Sequence, residues 1–245
     1  MFRPIYTPKG RAGEYADLAL NIYNGCNHSC WYCFAKKNFD RWNPTKDFAD
    51  VEPKKDIVEA TKRQLSGGKY KDKKIMLCFT CDPYPAIIDT SVTREVIQAI
   101  KEAGAHVQIL TKGGERAERD FDLLDSNDSF GVTYTGYKLG DLFMQSENEP
   151  NAAPSCEWLA SLDRAHKLGI KTWMSCEPVL NEIDIYQIIE LADYIDLFKI
   201  GKLNYYPSKI NWGEFGRKCE RICKGNNRNC YIKEDLREEM NRGTI

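Results

Sequence analysis

Apolar residues along the chain fall into short continuous runs that alternate with stretches of helical spacing. Continuous runs of this kind, bounded by turn residues, are typical of strands that are covered on both faces. The runs predict strands over 18–23, 75–80, 107–111, 130–135, 170–176 and 194–201. The alternation with helices predicts parallel strands joined by helical crossovers.

The segments between these runs place apolar residues three and four positions apart, the spacing that buries one face of a helix. Val92, Val96, Ile97 and Ile100 show it most clearly, with Gly104 suited to end that helix. Helices are predicted over 55–65, 91–103, 116–124, 155–168 and 184–192. An open doubly wound sheet and a partial barrel both fit this order of elements.

In both architectures, ligands bind beyond the carboxyl ends of the parallel strands. Groups that donate or accept hydrogen bonds follow five of the six predicted strands, whereas the strand bodies are almost free of charge. These strand-end groups are Thr80-Cys81-Asp82, Thr111-Lys112, Thr133-Tyr134-Thr135, Ser175-Cys176-Glu177 and Lys199-Ile200-Gly201-Lys202. The pattern predicts a site at one rim of the sheet. Tyr84, Tyr134 and Tyr137 lie near the same strand ends and are candidates for a substrate pocket.

Composition indicates a globular chain that is not associated with a membrane. The 245 residues are 42% hydrophobic and 29% charged, which suits a single α/β domain. No apolar run approaches the roughly 20 residues of a membrane span, and the amino terminus lacks the apolar core of a signal peptide. We therefore expect a cytoplasmic protein, in which clustered cysteines indicate metal or redox chemistry more often than disulfides.

The net charge gives no general case for nucleic-acid binding. Lys and Arg number 35 against 36 Asp and Glu, a formal charge of −1. Proteins that bind nucleic acid usually carry a basic excess, because neutralising phosphates supplies much of their affinity.

Three cysteines directly follow the first predicted strand. Cys26, Cys30 and Cys33 have the spacing C-x3-C-x2-C, and their thiolates suit iron–sulfur clusters and zinc. Closed structural sites take four ligands, so three local ligands indicate a position left open for chemistry. The alternative is that His28 completes a zinc site, which would make the chain a zinc-stabilised binding module without redox activity.

The motif Cys26-x3-Cys30-x2-Cys33, with Tyr32 before its last cysteine and β/α units after it, resembles the signature of the radical S-adenosylmethionine (SAM) superfamily. Thr80-x-Asp82-Pro83 and Leu110-Thr111-Lys112 resemble the spore photoproduct lyase-like branch. The resemblance covers about residues 17–205. It implies an α/β fold, a partial TIM barrel with a (βα)6 core of parallel strands and outer helices. On this basis 1–16 is an irregular lead-in and 206–245 a helical, cysteine-containing extension packed on the core.

The resemblance also implies an enzyme with two cofactors. Cys26, Cys30 and Cys33 would hold a 4Fe–4S cluster that cleaves SAM reductively. The 5′-deoxyadenosyl radical produced would then abstract hydrogen from an unidentified substrate. A low-potential electron donor, flavodoxin-like or ferredoxin-like, is the expected partner.

Further site residues follow from the resemblance, position by position. Tyr32 matches the aromatic residue beside the adenine, and Lys112 a basic residue that pairs with the methionine carboxylate. Thr133 and Glu177 lie on the fourth and fifth predicted strands where the cofactor docks. Cys81 is a polar cofactor contact and the candidate radical relay, hence the catalytic candidate.

Two departures from the family pattern bear on the substrate. The hydrogen-donor cysteine of the lyase maps onto Phe79, which Cys78 and Cys81 flank without replacing it. With a net charge near zero, this makes action on DNA or nucleotides the alternative rather than the leading interpretation. Gly113-Gly114-Glu115 follows the third predicted strand, not the second, and is interpreted as a loop.

Three cysteines near the carboxyl terminus leave two interpretations open. Cys219, Cys223 and Cys230 form C-x3-C-x6-C, the pattern of a second metal site. Cys219 and Cys223 also belong to an apolar stripe at helical spacing, which indicates core packing instead.

Overall fold

The computed structural model of the chain describes residues 2–86, 88–136 and 147–242. The strands are β1 (Tyr23–Asn24), β2 (Glu52–Pro53), β3 (Lys74–Leu77), β4 (His106–Thr111), β5 (Ser129–Thr133), β6 (Lys171–Cys176), β7 (Leu197–Ile200) and β8 (Cys230–Ile232). The helices are α1 (Phe34–Trp42), α2 (Ile57–Leu65), α3 (Ser91–Glu102), α4 (Ser155–Lys167), α5 (Glu182–Leu191), α6 (Trp212–Gly225) and α7 (Glu234–Arg242). Two 3-10 stretches cover Gly10–Glu14 and Gly114–Leu123.

The centre of the molecule is a six-stranded sheet in which β3 to β8 lie side by side in chain order. Every neighbouring pair in this sheet is parallel. Helical segments connect the strands, which confirms the predicted α/β architecture of parallel strands with helices around them. The buried residues of α3 include Val96, Ile97 and Ile100, as their helical spacing predicts.

The sheet curves, because side chains from strands far apart in it share one apolar cluster. Ala19 lies beside β3, Met76 is on β3 and Trp173 is on β6, yet the three pack together. The Trp173 indole nitrogen donates a hydrogen bond to the Ile109 carbonyl of β4 at 3.1 Å. Gly131 on β5 makes room for this indole, since a Cβ there would lie 2.3 Å from the ring. The concave face of a partial barrel results.

The predicted strand over 18–23 forms only in part. Ala19 makes a single parallel bridge to Met76, after which the chain leaves the edge of the sheet. The Asn21 side-chain oxygen accepts hydrogen bonds from the amides of Phe79 and Thr80, at 2.7 and 3.0 Å. The Asn21 side chain thus takes the place of strand hydrogen bonds at this point. β1 pairs instead with β2 in a separate two-stranded antiparallel sheet.

The carboxyl-terminal segment contributes to the sheet itself. β8 pairs in parallel with β7, so the sixth strand of the sheet comes from residues that the sequence assigned to an extension. The division of the chain at residues 16 and 205 stays a prediction. The segment over 116–124, predicted as an α-helix, is the 3-10 stretch Gly114–Leu123.

Helices in the described ranges include none that is both long and apolar enough to cross a membrane.

Candidate cofactor site

A cavity of about 500 Å³ opens at the carboxyl ends of the parallel strands. Every residue that the resemblance assigned to the cluster or to SAM lines it. These residues are Cys26, Cys30, Tyr32, Cys33, Cys81, Lys112, Thr133 and Glu177. The structure therefore brings together side chains from the cysteine loop and from the ends of four strands.

Backbone geometry fixes the cysteine loop between β1 and α1. Gly25 has φ +77°, and a Cβ at this position would lie 2.5 Å from the Phe48 carbonyl oxygen. The Cys26 amide donates a hydrogen bond to that same oxygen at 2.8 Å. Only glycine can occupy such a position without strain, so the loop leaves β1 along one path and turns its cysteines toward the cavity.

The three thiols are held in their protonated form by burial. Burial is the largest cause that raises the pKa of Cys30 to about 12 and that of Cys26 well above its usual value. Burial also raises the pKa of Cys33, opposed by hydrogen bonds from the Lys36 and Ala35 amides in the first turn of α1. A bound cation displaces such protons, because thiolate is the form that binds metal.

At least two of the three loop thiols lie more than 4.8 Å apart. Tetrahedral zinc with Zn–S bonds of about 2.3 Å holds its sulfurs roughly 3.8 Å apart. Over the described ranges, one set of three His, Cys, Asp or Glu ligand atoms lies mutually within 4.8 Å, and it is His106, Asp125 and Asp128 rather than the cysteines. The Lys101 ammonium already donates to both of those aspartates.

The His28 ring contacts Arg116 and Asp82, and its completion of a zinc site stays an untested alternative. It is 2% exposed, and its Nε2 lies 3.1 Å from the Arg116 guanidinium, which can only donate. Nε2 is therefore the acceptor, and Nδ1 carries the proton 3.5 Å from an Asp82 oxygen. Burial lowers the pKa of His28, consistent with this neutral ring.

Lys112 lies at the polar end of the cavity as part of a buried cluster. Its ammonium is 3.1 Å from the Glu149 carboxylate and donates to the Thr133 carbonyl at 3.2 Å. The Tyr32 hydroxyl donates to the same Glu149 oxygen. Burial and the Glu149 charge raise the pKa of Tyr32. The Lys112 amine, predicted to pair with the methionine carboxylate of SAM, is thus already paired within the protein.

A second polar cluster surrounds Glu177 on another wall. One Glu177 oxygen accepts from Lys233 at 2.5 Å and from the Tyr15 hydroxyl at 2.8 Å. The Tyr15 hydroxyl is also 2.8 Å from Ser175 Oγ. Burial and the Glu177 charge raise the pKa of Tyr15. Lys233 is 1% exposed, so its ammonium and the carboxylate compensate each other in a nearly dry environment.

Asp82 joins the ends of β3 and β4 behind the cavity. Its carboxylate accepts from the Thr111 hydroxyl at 2.6 Å and from the Lys112 amide at 2.8 Å. The string Thr80-x-Asp82-Pro83, noted for its resemblance, therefore has a positioning role. Phe79 lines the cavity, as does Cys81. Phe79 is the position onto which the hydrogen-donor cysteine of the lyase maps, and a residue in that role has to face the cavity.

The segment over 147–153 covers the cysteine loop and escaped the sequence interpretation. The Trp31 amide donates to the Asn148 carbonyl at 3.2 Å, and the Asn151 amide donates to the His28 carbonyl at 3.3 Å. Glu149, the partner of Lys112, belongs to this segment. The polar residues of this segment show no periodicity. No pattern in the sequence therefore identified Glu149 as the partner of Lys112.

Other predicted residues lie away from the cavity. Tyr84 and Tyr134 are 0% and 2% exposed and do not line it, so the pocket role predicted for them is wrong; Tyr137 lies outside the described residues. Their aromatic rings serve the core, and the Tyr84 hydroxyl donates to Asp120 at 3.0 Å. Glu115 is exposed and does not line the cavity either; Gly114 and Glu115 begin the 3-10 stretch rather than lying in the predicted loop.

The carboxyl-terminal cysteines also lie outside the cavity lining. Cys219 and Cys223 are 0% and 1% exposed within the main hydrophobic core. Cys230 on β8 is half-buried, and its thiol hydrogen-bonds that of Cys223. These contacts favour core packing, and the second metal site stays an untested prediction.

The chain matches the model of the family described as "Protein of unknown function (DUF5131)" over residues 12–224. It is 26% identical over 212 residues to the uncharacterized protein MJ0683 of Methanocaldococcus jannaschii, covering 84% of this chain and 77% of that protein. It is 30% identical over 170 residues to the uncharacterized protein Rv2578c of Mycobacterium tuberculosis, covering 67% of this chain. The chain spans 50% of that mycobacterial relative's length.

Solved structures with a similar fold include a mutant spore photoproduct lyase with bound AdoMet and dinucleoside spore photoproduct. The TM-score is 0.66 at 13% identity, covering 92% of this chain and 78% of that one. SuiB of Streptococcus suis bound to S-adenosylmethionine has a TM-score of 0.59 at 14% identity, covering 88% and 50%. The predicted resemblance to the radical SAM superfamily and its spore photoproduct lyase-like branch is confirmed for the fold.

Proposed function

The chain belongs to the DUF5131 family, and we propose that it is a radical SAM enzyme acting on a substrate still to be identified. A 4Fe–4S cluster with SAM bound supplies one-electron reductive cleavage to methionine and a 5′-deoxyadenosyl radical that takes hydrogen from the substrate. The observation that carries the proposal is the convergence of all predicted cluster and cofactor residues on one cavity.

The cysteine loop supplies the cluster ligands in this proposal. Cys26, Cys30 and Cys33 line the cavity, and the buried Lys112 lines it with them. Lys112 lowers the pKa of both Cys30 and Cys33, and such a cation also offsets the negative charge of a cluster with three thiolate ligands.

The polar residues around the cavity hold and orient the cofactor. Lys112 binds the methionine carboxylate by exchanging part of its contact with Glu149, and Tyr32 supplies an aromatic face for the adenine. Thr133 and Glu177 offer an oxygen each on the facing wall. Holding reactants in one geometry is the protein's main contribution when a cofactor supplies the chemistry.

The apolar side of the cavity protects a radical from water and side reactions. Phe79 and Leu110 line this side, and the aromatic ring of Tyr15 stands 6.0 Å from Phe79. Excluding water from a site prevents the quenching of reactive intermediates. A flavodoxin-like or ferredoxin-like donor is the partner that the proposal requires for the electron.

The decisive experiment is anaerobic reconstitution of the chain with iron and sulfide. The expected product is a brown protein that bleaches with dithionite and then forms 5′-deoxyadenosine from SAM. Cys30→Ala should abolish both iron binding and cleavage. Cys156→Ser, a half-buried thiol that does not line the cavity, should leave both unchanged. Stoichiometric zinc without iron uptake would exclude the enzyme and favour the zinc-stabilised module.

A further inference from the structure

Two thiols outside the cluster loop also line the cavity. Cys78 and Cys81 lie on the turn that follows β3 and form the sequence C-x2-C. Cys78 belongs to the main hydrophobic core, and Cys81 packs against the same core. From this placement, we propose that Cys78 and Cys81 are a redox-active dithiol that closes to a disulfide by exchange with small-molecule disulfides.

The surroundings of the pair differ between its two members. Cys78 is 4% exposed and belongs to the main hydrophobic core, whereas Cys81 is only partly buried. Cys81 is thus the more accessible thiol at the cavity, and Cys78 lies behind it.

This arrangement assigns the order of reaction. The more accessible Cys81 is the attacking thiol, and the adjacent Cys78 is the resolving thiol. Burial is the largest cause that raises the pKa of Cys78; burial also acts to raise that of Cys81, but the neighbouring Cys78 thiol lowers it. A C-x2-C pair in which one thiol has a lowered pKa is typical of redox motifs in reducing compartments.

The step balances with a small disulfide as the oxidant. The Cys81 thiolate attacks one sulfur of glutathione disulfide, and the other sulfur leaves as a thiolate that takes up a proton. Cys78 then loses its proton and attacks the Cys81 sulfur of the mixed disulfide, releasing the second glutathione. The protein loses two hydrogens, and one glutathione disulfide becomes two glutathione molecules.

The consequence for catalysis rests on the proposed function. In the reduced form, the Cys81 S–H faces the cavity next to Phe79, where it can donate a hydrogen atom to a carbon radical. In the disulfide form that hydrogen is absent. The dithiol therefore sets whether the cavity contains a hydrogen donor, while leaving Cys26, Cys30 and Cys33 free for the cluster.

The test uses the anaerobically reconstituted chain in mixtures of reduced and oxidised glutathione, quenched with N-ethylmaleimide. Trypsin cleavage after Lys74 and Arg94 gives a fragment over 75–94 that contains only these two cysteines. Mass spectrometry should show a doubly alkylated fragment under reducing conditions. Under oxidising conditions the fragment should carry no alkyl group and should be two hydrogens lighter than the unalkylated dithiol. One tenth to nine tenths oxidised should span about a 100-fold change in the ratio of oxidised to squared reduced glutathione.

Two variants test the order of attack. Cys78→Ser should trap a glutathione adduct on Cys81, and Cys81→Ser should leave Cys78 unmodified because it is buried. Cys156→Ser should behave as the unmodified chain. A fragment that stays doubly alkylated at every ratio, or an adduct on Cys78 in Cys81→Ser, would overturn the proposal. Since this readout needs no SAM cleavage, failure of the proposed function would leave the result intact.

Discussion

The Lys112–Glu149 pair shows how much depends on single side chains at the polar end of the cavity. Glu149 is 0% exposed and Lys112 7% exposed, so each charge is compensated mainly by the other. Removing one partner of a buried pair leaves the second charge uncompensated. The geometry of Tyr32, whose hydroxyl donates to Glu149, depends on the same carboxylate.

We expect Glu149→Gln to lower the free energy of unfolding by about 3–5 kcal/mol, because the Lys112 ammonium loses its buried counter-charge. Urea denaturation measures the loss. The double variant Lys112→Met with Glu149→Gln should recover part of it. Asp40→Asn, which removes the exposed partner of Lys36, should cost less than about 1 kcal/mol. Equal losses for the buried and exposed pairs would contradict the assignment.

Lys199 predicts a pH dependence of stability. Burial, followed by the nearby Lys233 charge, lowers its pKa to about 8. Its ammonium donates to the carbonyl oxygens of Glu14 and Tyr15 at 2.8 and 3.0 Å. Between about pH 8 and 10, the unfolded chain holds a proton that the folded chain has lost, so stability rises with pH.

Lys199→Met removes this titration and isolates its contribution. The unmodified chain should gain stability relative to the variant as pH rises from about 8 to 10, by at most about 1.4 kcal/mol per pH unit before solvent screening reduces it. Urea denaturation at a series of pH values measures the difference. Parallel profiles for the two proteins would refute the lowered pKa.

At this scale, the sequence predicts the residues whose partners are close in the chain. The three cysteines predicted to hold a cluster lie within one loop, so their spacing alone indicated shared ligation. Glu149 is 117 residues from Tyr32, and Tyr15 is 162 residues from Glu177. No local pattern links such residues, and only the curvature of the sheet brings them together.

Among the elements, the packing of the Trp173 indole of β6 against β5 depends on one glycine. Gly131→Ala should destabilise the fold by about 1–3 kcal/mol, because the added methyl would overlap the Trp173 indole that fills the barrel interior. Thermal or urea unfolding measures the loss. Gly67→Ala, where a Cβ meets nothing within 4 Å, should change stability by less than about 0.5 kcal/mol. If Gly131→Ala had no effect on stability, the indole would be able to shift away from the added methyl group.

The elements that the sequence predicted are those with a strong apolar pattern. β3, for example, buries Ile75, Met76 and Leu77, which stand in one continuous apolar run. β8 has three residues, of which only Ile232 is buried, so its pattern was too short to identify a strand. The run over 18–23 is apolar yet forms no continuous strand of the main sheet: Ala19 makes isolated bridges to Tyr6 and Met76, and the Asn21 side chain then bonds the amides of Phe79 and Thr80.

For the whole molecule, the decisive contact is the one between β7 and β8. The Lys233 amide donates to the Ile200 carbonyl at 2.9 Å, and its ammonium pairs with Glu177 in the cavity wall. Deleting 206–245 would expose the β7 edge and leave Glu177 without its cation. An exposed strand edge promotes association between chains.

We therefore expect a chain ending at residue 205 to aggregate or to lose cooperative unfolding. Size-exclusion chromatography and thermal unfolding followed by circular dichroism test this. A monomeric 1–205 protein with a sharp transition would instead support the division of the chain into a core and an extension.

The position of Lys233 in the cavity wall has a consequence for synthesis. Cys33 leaves the ribosome roughly 200 residues before Lys233, and at about 5–20 residues per second the interval is about 10–40 s. During that time, the thiols of the cysteine loop are present on a nascent chain whose cavity lacks its last wall. Under the proposed function, delivery of a cluster to these thiols would therefore be a post-translational event, and the unfinished chain would depend on the cell's reducing capacity to keep them intact.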